Sequence, residues 1–372
     1  MVCGDQGCYR RRIATYYRWS PISPLVEFML RYLLFPLETL IYGVSYGYLQ
    51  FHIRAPKPIR AEPTWRALTT ELPRGMRWIR NSWPLRPLRP LTVAAKMKQD
   101  HALGIAAHYD VSNDFYELFL DKRFMFYSCA DFHSPEETLE VAQQNKADFI
   151  LNLIDPKPGE KILELGCGWG SMLRRIHQHT GDKENLYGIT LSKEQAKYNS
   201  EHNGFQVEFS NFITRNYPTE EYDAIYSIGA WEHVRPDEIS QLLDKIYVAL
   251  KPGGRLVQHF FCRMNEHLLA AAAASQIYFP GSIGSSFRFH RDAHEQAGFR
   301  IAHCSSHDYR PTCRAWFDNL ETERDRALEL VSVQTFNRYM TFFCASWRYF
   351  EDCSGVVTRW ILEKPDSYNQ KP

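Results

Sequence analysis

Between Asn145 and Phe261 the chain alternates two hydrophobic rhythms. Short, mostly apolar runs, KILELG (Lys161–Gly166), NLYGITL (Asn185–Leu191), FQVEFSN (Phe205–Asn211), YDAIYSIG (Tyr222–Gly229) and RLVQHFF (Arg255–Phe261), read as strands. Between them lie stretches with apolar residues every three or four positions: NKADFILNLI, SMLRRIHQHT, SKEQAKYNSEHN and PDEISQLLDKIYVAL. These read as helices, with Ser192 a suitable N-cap for the third. KPGG (Lys251–Gly254) is a turn. Strand and helix in alternation predict an α/β fold, a Rossmann-like parallel sheet with helices on both faces. Ligands of such sheets sit at the carboxyl ends of the strands, where the strand order reverses.

The first quarter follows a different pattern. SPLVEFMLRYLLFPLETLIYGVSYGYLQFHI (Ser23–Ile53) is almost continuously apolar, but Glu27, Arg31, Pro36 and Glu38 interrupt it. Its longest uncharged run, from Thr39, is about fifteen residues, short of the roughly 20 that a spanning helix needs. An interfacial helix and a helix packed on the rest of the protein are both open readings. No apolar region with a small-residue cleavage site follows Arg10–Arg12, so the sequence does not read as a signal peptide. APKPIRAEP (Ala55–Pro63) and NSWPLRPLRPL (Asn81–Leu91) are proline-rich connectors. A boundary near the second gives a basic, apolar helical segment over 1–92 and a catalytic domain over 93–372.

Charge sharpens this division. Met1–Asp100 carries 16 Lys/Arg against 6 Asp/Glu, a balance of +10, and the remainder a balance of −9, although the whole chain is only +1. A basic, greasy first quarter suits an anionic membrane surface. No nucleic-acid motif accompanies those charges, since they are interleaved with proline and apolar runs. The nine cysteines include no CxxC pair, which argues against a disulfide framework or zinc ribbon and for a reducing, cytoplasmic setting. No metal site is expected.

The strand–loop–helix KILELGCGWGSMLRRI (Lys161–Ile176) carries the first chemistry. Such a unit brings backbone N–H groups towards a ligand. A dinucleotide fingerprint would read G-x-G-x-x-G with an acid about 20 residues on. Here the loop is G-x-G-x-G, with Ser171 in the third glycine's place, and the next strand ends in Thr190-Leu191-Ser192. Both departures count against NAD. With Glu164 just before the loop, the arrangement is that of S-adenosylmethionine (SAM) methyltransferases.

Further motifs occur in order: HYDVSNDFYELFLDKRFMFYSCADF (His108–Phe132), LELGCGWGS, GITLSKEQA, SIGAWEHV, YFPGSIGSSF and DYRPTCRAW (Asp308–Trp316). Together they resemble the cyclopropane fatty acid synthase and mycolic acid cyclopropane synthase family over roughly Met97–Lys364. The resemblance implies SAM as cofactor and assigns its contacts. Gly166, Gly168 and Gly170 would approach its methionine part, Thr190, Leu191 and Gln195 the ribose and adenine, and Asn211-Phe212, by a looser match, the adenine. Tyr109, Tyr127 and Ser128 would close over the sulfonium, with Ile228 and Gly229 below it.

An alkene is a feeble nucleophile, so such a site must align it with the S–CH3 bond and exclude water. Attack leaves a carbocation, which aromatic faces stabilise; ring closure then needs a base. The resemblance implies a bound bicarbonate held by Cys129, the Gly229 backbone, Glu232, His259 and the backbone of Phe261. Read alone, Cys129 is an inert buried thiol, Glu232 an ordinary acid after a strand and His259 a core histidine. The sequence departs from the family at two places. The segment after strand five is His259-Phe260-Phe261, bulkier than usual, and the family's C-terminal tyrosine falls on Phe342. Tyr339, one helical turn earlier, is the candidate substitute for the missing hydroxyl.

The insertion over about 262–290, with its apolar stretch Leu268–Phe287, implies the wall of an acyl-chain tunnel; a helix packed on the domain is the rival reading. The expected function is methylene transfer from SAM to a cis double bond of a phospholipid acyl chain, by a protein peripheral to the membrane. The alternatives are C- or N-methylation of another lipid or apolar metabolite without ring closure, and a SAM-fold binding module without catalysis. Whether the chain is a monomer or a homodimer stays open.

Overall fold

The computed structural model describes residues 24–70, 111–264, 269–280 and 282–366. The boundary expected near residue 92, and Tyr109, lie outside them. Among the described residues seven strands form one sheet: β1 (Ile162–Leu165), β2 (Leu186–Thr190), β3 (Gln206–Phe209), β4 (Tyr222–Ile228), β5 (Leu250–Arg263), β6 (Arg300–His307) and β7 (Gly355–Glu363). Their order is β3-β2-β1-β4-β5-β7-β6. β1 pairs in parallel with β2 and with β4, β2 with β3, and β4 with β5. β1 is buried at every position and β4 at five of seven, which is why both read as unbroken apolar runs. The sheet is not wholly parallel, as alternation alone predicts, because β6 and β7 pair antiparallel. β5 takes in the KPGG turn, where its register with β4 shifts and Gly253 adopts φ +75°.

The chain divides into two compact units. One comprises Leu120–Cys262, Gly284–His307 and Val356–Pro372 and holds nearly all of the sheet. Its core joins Ile150, Leu151 and Ile154 of the helix Leu139–Ile154 to Ile162, Met172, Leu173, Ile176, Leu186 and Ala224. That helix starts at Thr138, whose hydroxyl accepts from the Val141 N–H, and ends at Asp155 in the left-handed region. Ser192 caps the helix Lys193–Tyr198 in the same way, accepting from the Gln195 N–H.

The other unit, Met1–Phe119, Arg263–Ile283 and Asp308–Gly355, is helical in its described part. The helix Pro24–Ile53 packs against Leu269–Tyr278 and Val333–Glu351, and the last also packs against Arg310–Thr322. Asn337 pins the proline-rich connector: its Oδ1 accepts from the Ile59 N–H at 2.9 Å and its Nδ2 donates to the carbonyls of His52 and Lys57. Leu49 and Ile53 pack with Ile277 and Tyr278. Another face of the same helix carries Leu33, Leu37, Leu40, Val44, Tyr48 and Phe51, all exposed, so the segment is both packed and open to solvent. No helix among the described residues is long and apolar enough to cross a membrane.

Candidate active site

The loops after β1, β2, β3 and β4 lie at the carboxyl end of the sheet, on either side of the point where β1 has β2 on one flank and β4 on the other. Gly166, Gly168 and Gly170 all have positive φ, +79°, +53° and +71°. Only at Gly168 would a Cβ meet nothing within 4 Å; at Gly166 it would lie 2.6 Å from Ala230 Cβ and at Gly170 2.0 Å from Asn199 Oδ1. The loop is braced from behind. Asn199 Nδ2 donates to the Gly168 carbonyl at 2.9 Å and Asn203 Nδ2 to that of Trp169 at 2.9 Å. The N–H groups of Gly166 and Cys167 donate to Ile189 O, and that of Gly170 to Cys167 O. These three therefore hold the loop together, and the opening towards a ligand is at Gly168.

After β2, the Thr190 hydroxyl donates to Gln195 Oε1 at 2.7 Å and accepts from the Ser192 N–H. Leu191 is exposed beside them. Asn211 caps its own turn through the Ile213 N–H, and Phe212 is buried with its carbonyl held by the Tyr217 hydroxyl. Glu164 is buried and accepts from the Tyr226 hydroxyl at 2.8 Å; burial raises its pKa to about 8 against the effect of that bond.

The Tyr127-Ser128-Cys129 stretch is anchored by the buried face of the helix Leu139–Ile154. Gln143 Nε2 donates to the carbonyls of Phe126 and Ser128, and Lys146 Nζ to Ser128 Oγ at 2.9 Å, with its ammonium 3.4 Å from the centre of the Phe126 ring. Lys146 is fully buried; that burial lowers its pKa to about 7, against the pull of Asp121. Cys129 is fully buried, its thiol donating to Ala130 O.

Gly229 ends β4 at φ +67°, and a Cβ there would stand 3.1 Å from Ser128 Cβ, 3.8 Å from Tyr127 O and 4.0 Å from Glu232 Oε1. The stretch before Cys129 and the turn bearing Glu232 thus meet over a glycine, where a side chain would be tight against Ser128 and strained by the positive φ. Glu232 is half-buried, but its Oε2 is withdrawn from solvent and has no hydrogen-bond partner among the described residues. Burial raises its pKa to about 8. His259 pairs with Ile228 in the β4–β5 register, and its carbonyl accepts the Gly229 N–H at 2.8 Å. That N–H is therefore committed to the sheet and is not a donor to a bound anion. Phe261 follows two places along β5, half-buried.

The His259 ring is held by groups the sequence reading passes over. Arg359 Nε donates to His259 Nδ1 at 2.9 Å, and its two terminal nitrogens fork onto Asp131 at 2.6 and 2.9 Å. Asp131 also faces His307 Nδ1 at 3.2 Å. An arginine inside the apolar run GVVTRWILE is the signal that would have found them.

Tyr339 and Phe342 belong to the helical unit. The Tyr339 hydroxyl is bonded to that of Tyr116 at 2.8 Å among Phe115, Phe119 and Phe343, whereas Phe342 packs on Tyr278 and Phe279. The two rings thus have different neighbours, and the hydroxyl offered as a substitute is already engaged within its own unit. The insertion forms the helix Leu269–Tyr278, a turn closed by the Ser282 N–H on Phe279 O, and the helix Phe287–Gln296.

A sheet of this order with a glycine cradle on its first strand and a polar turn on its second defines the Rossmann-like methyltransferase class. The comparisons narrow it. Residues 96–360 match the family model described as mycolic acid cyclopropane synthetase, and the chain belongs to that family of SAM-dependent methyltransferases. It is 32% identical to hydroxymycolate synthase MmaA4 of Mycobacterium tuberculosis over 281 residues, 68% of this chain and 91% of the relative. The structure of the cyclopropane synthase MmaA2 from Mycobacterium tuberculosis matches with a TM-score of 0.66 and 28% identity, covering 72% of this chain and 99% of that one. Mycolic acid cyclopropane synthase CmaA1, complexed with SAH and CTAB, matches with a TM-score of 0.65 and 26% identity over 72% and 99%.

Proposed function

We propose that the protein transfers a carbon from SAM to a cis double bond of a phospholipid acyl chain and closes it to a cyclopropane, at a membrane surface. The observation that carries this is Glu232: an acid with a buried, unpartnered oxygen, set against Gly229 and Ser128 at the end of β4, beside the strand bearing His259. SAM supplies an electrophilic methyl group on a cationic sulfur. The residues that would hold it are Gly168, where the loop is open, the Thr190–Gln195 turn, Asn211-Phe212 and Ile228, with Tyr127 and Ser128 towards the sulfur. Buried Phe260, Trp231 and Phe126 keep the surroundings apolar. Glu232 Oε2, withdrawn from solvent, would hydrogen-bond as a protonated acid to the base that takes the proton lost in ring closure.

Bicarbonate fits this corner in part: Glu232, protonated below about pH 8, is a donor there, and the ion would supply a base, with Cys129 and His259 as its other neighbours. The basic first quarter, the exposed row from Leu33 to Phe51 and the exposed Arg54, Lys57 and Arg60 that follow it support contact with an anionic phospholipid surface. The names of the relatives reported above, a hydroxymycolate synthase and two cyclopropane synthases, support a lipid acceptor. One observation favours a second reading, methylation without ring closure: the Tyr339 hydroxyl is bonded to Tyr116.

The test is purified protein with SAM and vesicles of cis-unsaturated phospholipid, with and without added bicarbonate, read by lipid mass spectrometry. A lipid that gains one methylene and loses its alkene supports the proposal. A lipid that gains carbon but keeps an alkene supports the second reading. No lipid change while SAM still binds overturns both.

A further inference from the structure

Arg359 is fully buried in β7, and β7 neighbours β5. Its side chain meets three groups. The forked end takes both oxygens of Asp131, and the remaining Nε–H donates to His259 Nδ1 at 2.9 Å. The guanidinium also lies 4.8 Å from the centre of the Phe149 ring, and Asp131 is shared with His307, whose Nε2 meets Ser305 Oγ at 2.9 Å. An arginine cannot give up its proton in a protein, so Nε is a permanent donor. Its partner nitrogen on the imidazole must then be a permanent acceptor, which leaves the ring's proton on Nε2.

We propose that Arg359 is a positioning residue that locks His259 as the neutral Nε2–H tautomer, making His259 a fixed hydrogen-bond donor to the site and never its base. A second proton on His259 would have to go on Nδ1, facing the guanidinium. The charged and titratable groups that bear on the ring are Arg359 from β7, Lys146 from the helix Leu139–Ile154, His307 from β6 and Asp131. Burial, followed by the charges of Arg359, Lys146 and His307, holds its pKa well below the ordinary histidine value, with Asp131 opposing. Asp131 in turn is kept ionised: burial would raise its pKa, but Arg359 and His307 outweigh that and hold it far below the usual carboxylate range. The clamp is thus an ion pair whose Nε–H is directed away from the carboxylate, and that N–H is spent on the histidine. An outer group that sets a ligand's tautomer is a familiar device, and its loss typically costs roughly 10- to 100-fold in activity.

That His259 serves catalysis rests on the proposed function; its tautomer does not, and the experiment reads the two separately. Full-length protein labelled with 15N-histidine is followed by NMR from about pH 5.5 to about 8.5, the range in which an unperturbed histidine titrates. The expected result is one His259 signal set with a protonated Nε2 and a bare Nδ1, unchanged across the range. The double variant Arg359→Met/Asp131→Asn removes both charges of the pair together, and Arg359→Gln keeps a neutral N–H donor. In the double variant His259 should titrate, and turnover on cis-unsaturated vesicles should fall roughly 10- to 100-fold with an added loss at acid pH and an unchanged KM for SAM; Arg359→Gln should restore the tautomer and part of the rate. A wild-type His259 that carries its proton on Nδ1, or that titrates in this range, overturns the proposal whether or not any variant folds. An intact tautomer with no turnover on vesicles would instead count against the lipid substrate.

Discussion

At Gly170 a side chain would collide with Asn199, the residue that holds the Gly168 carbonyl, whereas at Gly168 it would enter open space. The two glycines should therefore fail differently. Gly168→Ala is expected to cost only the left-handed backbone penalty, about 1 kcal/mol, and to weaken SAM binding at the mouth of the loop. Gly170→Ala should lower the melting temperature further, because Asn199 must also move; calorimetry and SAM titration of both variants separate the effects. Glu232 gives a pH test. Its folded-state pKa lies near 8, above the ordinary 4.5, so its favourable contribution is complete below about pH 4.5 and is lost as pH rises through about 8. Glu232→Gln cannot ionise, so its melting temperature should gain on wild type steadily between those limits. Its turnover should drop at least about 100-fold while SAM affinity stays within about 2-fold, a split that kinetics against binding would reveal.

The helix Leu139–Ile154 shows how much of the site could be read from the chain and how much could not. Its apolar spacing predicts the helix, but the same spacing puts Gln143 and Lys146 on the buried face, where they fix the backbone before Cys129. Hydrophobic rhythm records which face is inward and is silent on what a polar inward residue touches. β1 and β4 were legible because buried parallel strands are continuous apolar runs, and the exposed β3 by its place in the alternation of strand and helix. β6, with all its positions but His307 exposed or partly so, and β7, with an arginine at its centre, were not, and so the Arg359–Asp131 clamp escaped notice. Gly166, Gly168 and Gly170 were found as a loop, while the use of three of its N–H groups in its own bracing is a property of the fold. Lys146 offers a further test. Its pKa is lowered to about 7 by burial, so its charge destabilises the fold fully below pH 7, and the penalty fades as pH rises towards the ordinary value of 10.5. Lys146→Met should therefore melt highest relative to wild type near pH 6, with the difference shrinking by about pH 9, measured by thermal denaturation across that range. On the helix Pro24–Ile53, Leu40→Asp and Phe51→Asp place charge in the exposed apolar row without touching Leu49 or Ile53. They should abolish most sedimentation with anionic vesicles and leave the melting temperature within a few degrees of wild type.

Across the whole molecule, the charge is divided as the proposed chemistry requires: +10 in the first hundred residues and −9 in the rest. An enzyme acting on a membrane lipid must approach an anionic surface while keeping its reaction in a closed apolar site, and the proposal gives these two tasks to different parts of this chain. Cys129, Glu232 and His259, the groups to which the proposal gives the chemistry, lie in the unit that carries nearly all of the sheet, and the exposed helical row in the other. The most direct test of the central claim uses SAM with a fully deuterated methyl group, supplied to the purified protein with vesicles of cis-unsaturated phospholipid. Cyclopropane formation removes one deuteron from that carbon, so the product is predicted to retain two, with the alkene gone. A product retaining all three deuterons would contradict ring closure and make this protein a simple lipid methyltransferase.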